Sequence, residues 1–199
     1  MTAGSSQAAQ QSLGAQYPDG CFIGFNAAID RKAAEQLVFA CGEAVKNGFR
    51  EITLCMSSVG GLLDHAHYAF NMLEAMPVKI TTHNTSSIQS AANLLFLAGD
   101  ERYAADKSTF FFHQTTFEAQ GGQTLTQTFL TERLKAMAYE DDRSASIYAT
   151  KTGQPVEKIR EWLNTELVMT TDVAVKNGLI HAVKPLVIPK GALYHQVVV

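Results

Sequence analysis

From Cys21 onward, short apolar runs alternate with longer stretches whose apolar residues recur every three or four positions. This pattern is what a parallel sheet demands, because a strand that pairs in parallel with its predecessor is reached only through a crossover long enough to hold a helix. The chain is therefore expected to fold as α/β, in stacked βαβ units. CFIGF (21–25) reads as a strand, followed by a helix that Asp30 caps, with Ala34, Leu37, Val38, Cys41, Ala44 and Val45 on one face and Asn47-Gly48 as its stop. ITLCM (52–56) reads as a second strand, SSVGG (57–61) as a turn, and the next stretch as a helix with Leu62, Ala66, Ala69, Phe70 and Leu73 on one stripe, closed by Pro77. VKITT (78–82) is the third strand.

The following helix, predicted near 90–98, is apolar almost all round, which places it in the middle of the fold, since a surface helix shows a polar face. RYAA (102–105) and TFFFH (109–113) follow as strands. Residues 124–150 carry Leu125, Phe129, Leu130, Leu134, Met137, Ala138, Ile147 and Tyr148, and a helix of that length reaches about 40 Å. One small domain cannot cover both sides of such a rod, so it is expected to project and to pack against a neighbouring subunit. Thr152-Gly153 breaks it, Pro155 opens a short helix to about Leu163, and LIHAV (179–183) is the last predicted strand. With no internal repeat or linker, residues 21–199 read as a single domain. Residues 1–20, rich in Gln, Ala and Ser with Asp19 their only charge, read as a flexible arm.

A net charge of −3 leaves no basic field for phosphates, which argues against a nucleic-acid or anionic-membrane partner. The chain is 18% charged, below the quarter usual for soluble domains, and the deficit is local: residues 52–99 hold only Asp64, Glu74 and Lys79. The apolar stretch 91–99 is about half of what a bilayer span needs, so no membrane segment is expected. Cys21, Cys41 and Cys55 show no C-x-x-C spacing and are odd in number, so neither a disulfide framework nor zinc is indicated and a cytoplasmic location is expected.

Three features in this chain suit acyl-transfer chemistry. Gly60-Gly61 lets backbone N–H groups approach a developing oxyanion, although a Gly pair also serves as a plain turn. Ser90 sits near a helix N-terminus, where free N–H groups favour negative charge; Ser86 and Ser87 are close by, and spacing alone leaves the three serines open. His113 closes the aromatic run Phe110-Phe111-Phe112 and is a candidate general base, which a serine nucleophile needs. His65 and His67, two apart on a helix start, read as surface or pocket residues on different faces with no metal site, and no cofactor is implied. Trp162 reads as a packing residue, and Asp141-Asp142 as a solvated or interface charge cluster.

In order and spacing, ITLCMSSVGG, QSAANLLFLAG, FFFHQ, TGQPVEKI and AVKNGLIHAV resemble the family of Clp protease proteolytic subunits, within the superfamily that includes the crotonases. The likeness runs from about Phe22 to Val183. It implies a ClpP-like fold and a serine peptidase that hydrolyses peptides or unfolded proteins through an acyl-enzyme. It further implies Ser90 as nucleophile, His113 as general base, and the N–H groups of Gly61 and Ala91 as the oxyanion hole, with no metal. Residues 114–150 correspond to the family's handle, where heptameric rings stack to enclose a chamber. An ATP-driven unfoldase of the AAA+ class is the implied partner. Three departures stand out. Val59 replaces the usual Pro of the turn, and the Gln/Ala/Ser-rich arm replaces the family's axial loop. Trp162 stands where the family carries its third catalytic residue, an Asp, which leaves Asn164 or Glu166 to turn inward and fix the imidazole, and a slow or conditional dyad as the expectation. The alternatives are a catalytically weakened subunit with a structural or regulatory role, and a crotonase-like acyl-CoA enzyme.

Overall fold

The run CFIGF is buried on both faces because it lies inside a parallel sheet. In the computed structural model, which describes residues 20–119, 121–122 and 124–199, β1 (Cys21–Asn26) pairs in parallel with β2 (Glu51–Ser58), and β2 with β3 (Lys79–Gln89). The arm expected over residues 1–20 lies, apart from Gly20, outside the described residues. Helix α1 (Arg31–Lys46) joins β1 to β2, with Asp30 accepting from the N–H of Ala33 at 2.8 Å, and α2 (Leu63–Glu74) joins β2 to β3.

Strand β3 runs well past the predicted 78–82 and forks the sheet. Residues 81–84 pair with β4 (Glu101–Ala104), and residues 87–89 pair with β5 (Thr109–Phe111). The polar stretch between them is structural: at the fork Asn84 Nδ2 donates to the carbonyl of Thr109 at 2.9 Å, and Ser108 Oγ donates to that of Asn84 at 3.1 Å. β5 also carries the antiparallel strand β6 (Val168–Thr170). The helix expected at 90–98 is shorter, α3 (Ala92–Phe96), with Ser90 and Ala91 in the turn before it; residues 91–99 are all buried, as their all-round apolarity requires.

The long helix α4 (Gln127–Thr152) has 26 residues and spans about 39 Å. It buries only Ser144, Ala145, Tyr148 and Thr152, all in its second half, while Leu134 and Tyr139 are 66% and 68% exposed. It leads into α5 (Val156–Asn164), whose inner face is Ile159, Trp162 and Leu163. After α6 (Thr171–Lys176), the strand predicted over 179–183 is reduced to β7 (Ala182–Val183). The reason is that the Leu179 N–H closes α6 on the Ala174 carbonyl at 2.9 Å, while the Leu179 carbonyl accepts from buried Arg102 Nε at 2.9 Å, leaving neither group for the sheet. The final strand, β8 (Leu193–Gln196), lies parallel beside β1. No helix among the described residues is long and apolar enough to cross a membrane.

Two readings of polar residues are corrected. His67 is 2% exposed, because it shares the inner face of α2 with Ala66 and Phe70. Asp141 and Asp142 do not act as one cluster: exposed Asp142 pairs with Arg160 at 3.0 Å, whereas half-buried Asp141 turns inward and accepts from the Thr115 N–H at 2.7 Å.

Candidate active site

The turn after β2 is fixed by Ser58, whose Oγ donates to the Ala27 carbonyl at 2.6 Å and accepts from the Gly60 N–H at 3.1 Å. The Ile29 N–H then bonds the Gly60 carbonyl, and the Leu62 N–H bonds that of Ile29, each at 2.7 Å. Both glycines are required here. Gly60 has φ +87°, and a Cβ on it would come within 2.6 Å of the Gln89 carbonyl oxygen; a Cβ on Gly61 would overlap the backbone of Ile29. The Gly61 N–H has no acceptor among the described residues and lies beside the turn that carries Ser90.

Ser90 adopts φ +54°, a left-handed conformation that costs a non-glycine residue on the order of 1 kcal/mol or more. Its surroundings hold it there. Its N–H donates to the Phe111 carbonyl at 2.9 Å, and its carbonyl accepts from the backbone N–H and the Nδ2 of Asn93 at 3.0 and 3.2 Å. Fully buried Asn93 also donates to the Phe111 carbonyl at 2.7 Å, tying the serine turn to the end of β5. Ser86 and Ser87 belong to β3 instead: Ser87 Oγ is engaged with Gln89 and Thr109, and Ser86 lines a separate groove beside Cys55 and Tyr194. Of the three serines that spacing left open, only Ser90 lines the cleft described next.

That cleft, of about 550 Å³, brings together Ser90, Ala91, Gly61 and His113, with Val59 and Leu62 as exposed apolar residues on its wall. Like that of Gly61, the Ala91 N–H has no acceptor among the described residues. His113 leaves β5 where the Phe112 N–H bonds the Leu167 carbonyl at 2.9 Å, and its ring stacks on Phe111 at 5.4 Å. Nδ1 of His113 lies 2.6 Å from the carbonyl oxygen of Gln114. A carbonyl only accepts, so Nδ1 carries the proton and Nε2 of the neutral ring carries the lone pair, the tautomer a general base needs. Ser90 Oγ and His113 Nε2 share no direct hydrogen bond among the described residues, and such contacts commonly tighten only when substrate binds.

Neither residue named to replace the missing carboxylate reaches the cleft. Asn164 and Glu166 are exposed, because α5 turns its apolar face inward and seats Trp162, 4% exposed, against Phe112 at 5.4 Å. The partners on the ring side were not anticipated: the Gln114 carbonyl, and Asp141, which lines the same cleft and holds the next N–H. Tyr148 lines it too, and burial pushes its phenol well above the ordinary range. The thiols are poor alternative nucleophiles, since burial pushes Cys41 up to about 12 and Cys55 to about 11. Among the described residues no group of three His, Cys, Asp or Glu side chains is placed to hold a metal ion.

The family model for Clp protease matches residues 21–185. An ATP-dependent Clp protease proteolytic subunit from Paracoccus denitrificans is 26% identical over 154 residues, covering 76% of this chain and 75% of that protein. ATP-dependent Clp protease proteolytic subunit 2 of Pseudomonas aeruginosa is 24% identical over 157 residues, covering 78% and 76% respectively. With a parallel-dominated α/β fold and a family match over most of its length, the chain belongs to the Clp protease family.

Proposed function

We propose that the protein is a serine endopeptidase that hydrolyses peptides or unfolded proteins through an acyl-enzyme. The observation that carries this reading is the convergence, in one cleft, of a strained serine, two N–H groups without acceptors among the described residues and a histidine whose Nδ1 is committed to a carbonyl. Ser90 Oγ attacks the scissile carbonyl carbon while its proton passes to His113 Nε2. The oxygen gains charge and is met by the N–H groups of Gly61 and Ala91. His113 returns the proton to the leaving amine, and water then hydrolyses the ester by the same route in reverse. The exposed outer half of α4, with Leu130, Leu134 and Tyr139, supports assembly into stacked rings that form a chamber in the cytoplasm. The relatives' names support an ATP-driven unfoldase as partner.

A fluorogenic peptide assay tests the reading: Ser90→Ala and His113→Ala should each lower kcat by at least about 10³-fold. Rates equal to wild type in both folded variants would overturn it. Trp162 in place of a carboxylate favours a second reading, a weakened subunit that acts structurally or in regulation. It predicts a wild-type rate no higher than that of Ser90→Ala.

A further inference from the structure

The peptide unit between Gln114 and Thr115 is hydrogen-bonded at both ends. Its carbonyl oxygen accepts from His113 Nδ1 at 2.6 Å, and its N–H donates to Asp141 Oδ1 at 2.7 Å. A peptide group is planar, and no cis bond occurs among the described residues, so this N–H and C=O point in opposite directions and fixing one fixes the other. The described residues between Phe112 and Thr126 form no helix or strand to set that plane. Asp141 does have one: it sits on α4 just before Ser144, Ala145 and Tyr148, where the helix enters the core. The carboxylate thereby aims the Gln114 carbonyl at the imidazole from a rigid support.

The same connection carries charge. A carboxylate accepting from the N–H polarises the peptide and makes its carbonyl oxygen a stronger acceptor, because hydrogen bonds in a chain reinforce one another. A carboxylate bonded directly to a catalytic histidine fixes its tautomer and stabilises the imidazolium as it forms. We propose that Asp141 is the positioning residue of this site, a carboxylate that acts on His113 through the Gln114–Thr115 peptide unit. It takes over the task left open where Trp162 is packed into the core and Asn164 and Glu166 lie outside the cleft. The proposal rests on His113 acting as the base for Ser90.

The test compares Asp141→Ala and Asp141→Asn with Asp142→Ala, whose side chain is exposed and paired with Arg160 on the surface. Two quantities are read in each: kcat and KM for a peptide ester, and the imidazole N–H resonance of His113 in protein labelled with ¹⁵N-histidine. Asp141→Ala should lower kcat about 10- to 100-fold with KM nearly unchanged, the size of one charge-assisted hydrogen bond, and should shift or abolish the Nδ1–H resonance. The Asn variant keeps an acceptor for the Thr115 N–H without the charge, so it should restore the resonance and part of the rate. Asp142→Ala should match wild type. A folded Asp141→Ala protein with wild-type kcat and an unmoved resonance overturns the proposal; if that variant fails to fold, a wild-type kcat in the Asn variant does so. If the wild type shows no Ser90-dependent hydrolysis, the peptidase reading fails by itself. The resonance then still decides the connection: movement in the Asp141 variants supports it and no movement overturns it.

Discussion

Gly60→Ala puts the oxyanion geometry under direct strain. A Cβ there would sit 2.6 Å from the Gln89 carbonyl oxygen and 2.7 Å from the Ser90 Cβ, where ordinary contact begins near 3.4 Å. The turn must therefore draw away from the Gln89 carbonyl by about 0.8 Å and from the serine by about 0.7 Å. Holding alanine at φ +87° adds roughly 1–2 kcal/mol of backbone strain. That strain alone would lower stability modestly, but a displacement near 1 Å between nucleophile and oxyanion donors costs on the order of 100-fold in rate. The assay is paired: urea unfolding for stability, and pre-steady-state acylation by a peptide nitrophenyl ester for chemistry. The expected result is a loss of about 1–3 kcal/mol in unfolding free energy with an acylation rate lowered about 100-fold. An acylation rate within about twofold of wild type in the folded variant would refute the claim that this turn and Ser90 form one unit.

Trp162→Asp places a carboxylate where the family resemblance implies one but should not create a triad. It removes a buried aromatic seated against Phe112 and buries a charge in its place, so stability should fall by about 4 kcal/mol or more in urea melts with no gain in hydrolysis. A folded variant that hydrolyses peptides faster than wild type would contradict this. His67 gives a pH signature. Burial, aided by Arg143 and opposed by Asp64, lowers its pKa from 6.5 to about 4, so below pH 6.5 the unfolded chain binds a proton that the folded chain refuses. Its contribution is complete above pH 6.5 and is lost as pH falls toward 4, by at most about 3 kcal/mol, with Glu140 at 3.7 Å offsetting part of the loss. Urea melts from pH 7 to 4.5 should show wild type losing more stability than His67→Leu, and parallel curves would refute the assignment.

The elements readable from the sequence are those whose signal is local. The Asp30 cap, the apolar face of α1 and the buried 91–99 stretch need only periodicity and burial to declare themselves. The extension of β3 through His83–Gln89 shows no apolar alternation, because there the polar side chains bond the carbonyls exposed where the sheet forks. Strands of two to four residues such as β6 and β8 take their form from the neighbour they pair with, and sequence spacing does not report that neighbour. At the site, the glycine pair, Ser90 and His113 were legible, with the family likeness deciding among serines that the residues left open. Asp141 was not, because its partner Thr115 lies 26 residues away and an adjacent Asp142 disguised it as a surface cluster. The burial of His67 does have a sequence signal, since it falls on the same stripe of α2 as Ala66 and Phe70.

Covalent labelling asks whether Ser90 is the nucleophile of a working hydrolase. A fluorophosphonate is incubated with the native protein, and the modified residue is mapped by peptide mass spectrometry. One adduct per chain is expected, on Ser90, abolished in Ser90→Ala and strongly slowed in His113→Ala. Label on Ser86 or Ser87, or a folded protein that takes up no label at all, would contradict it.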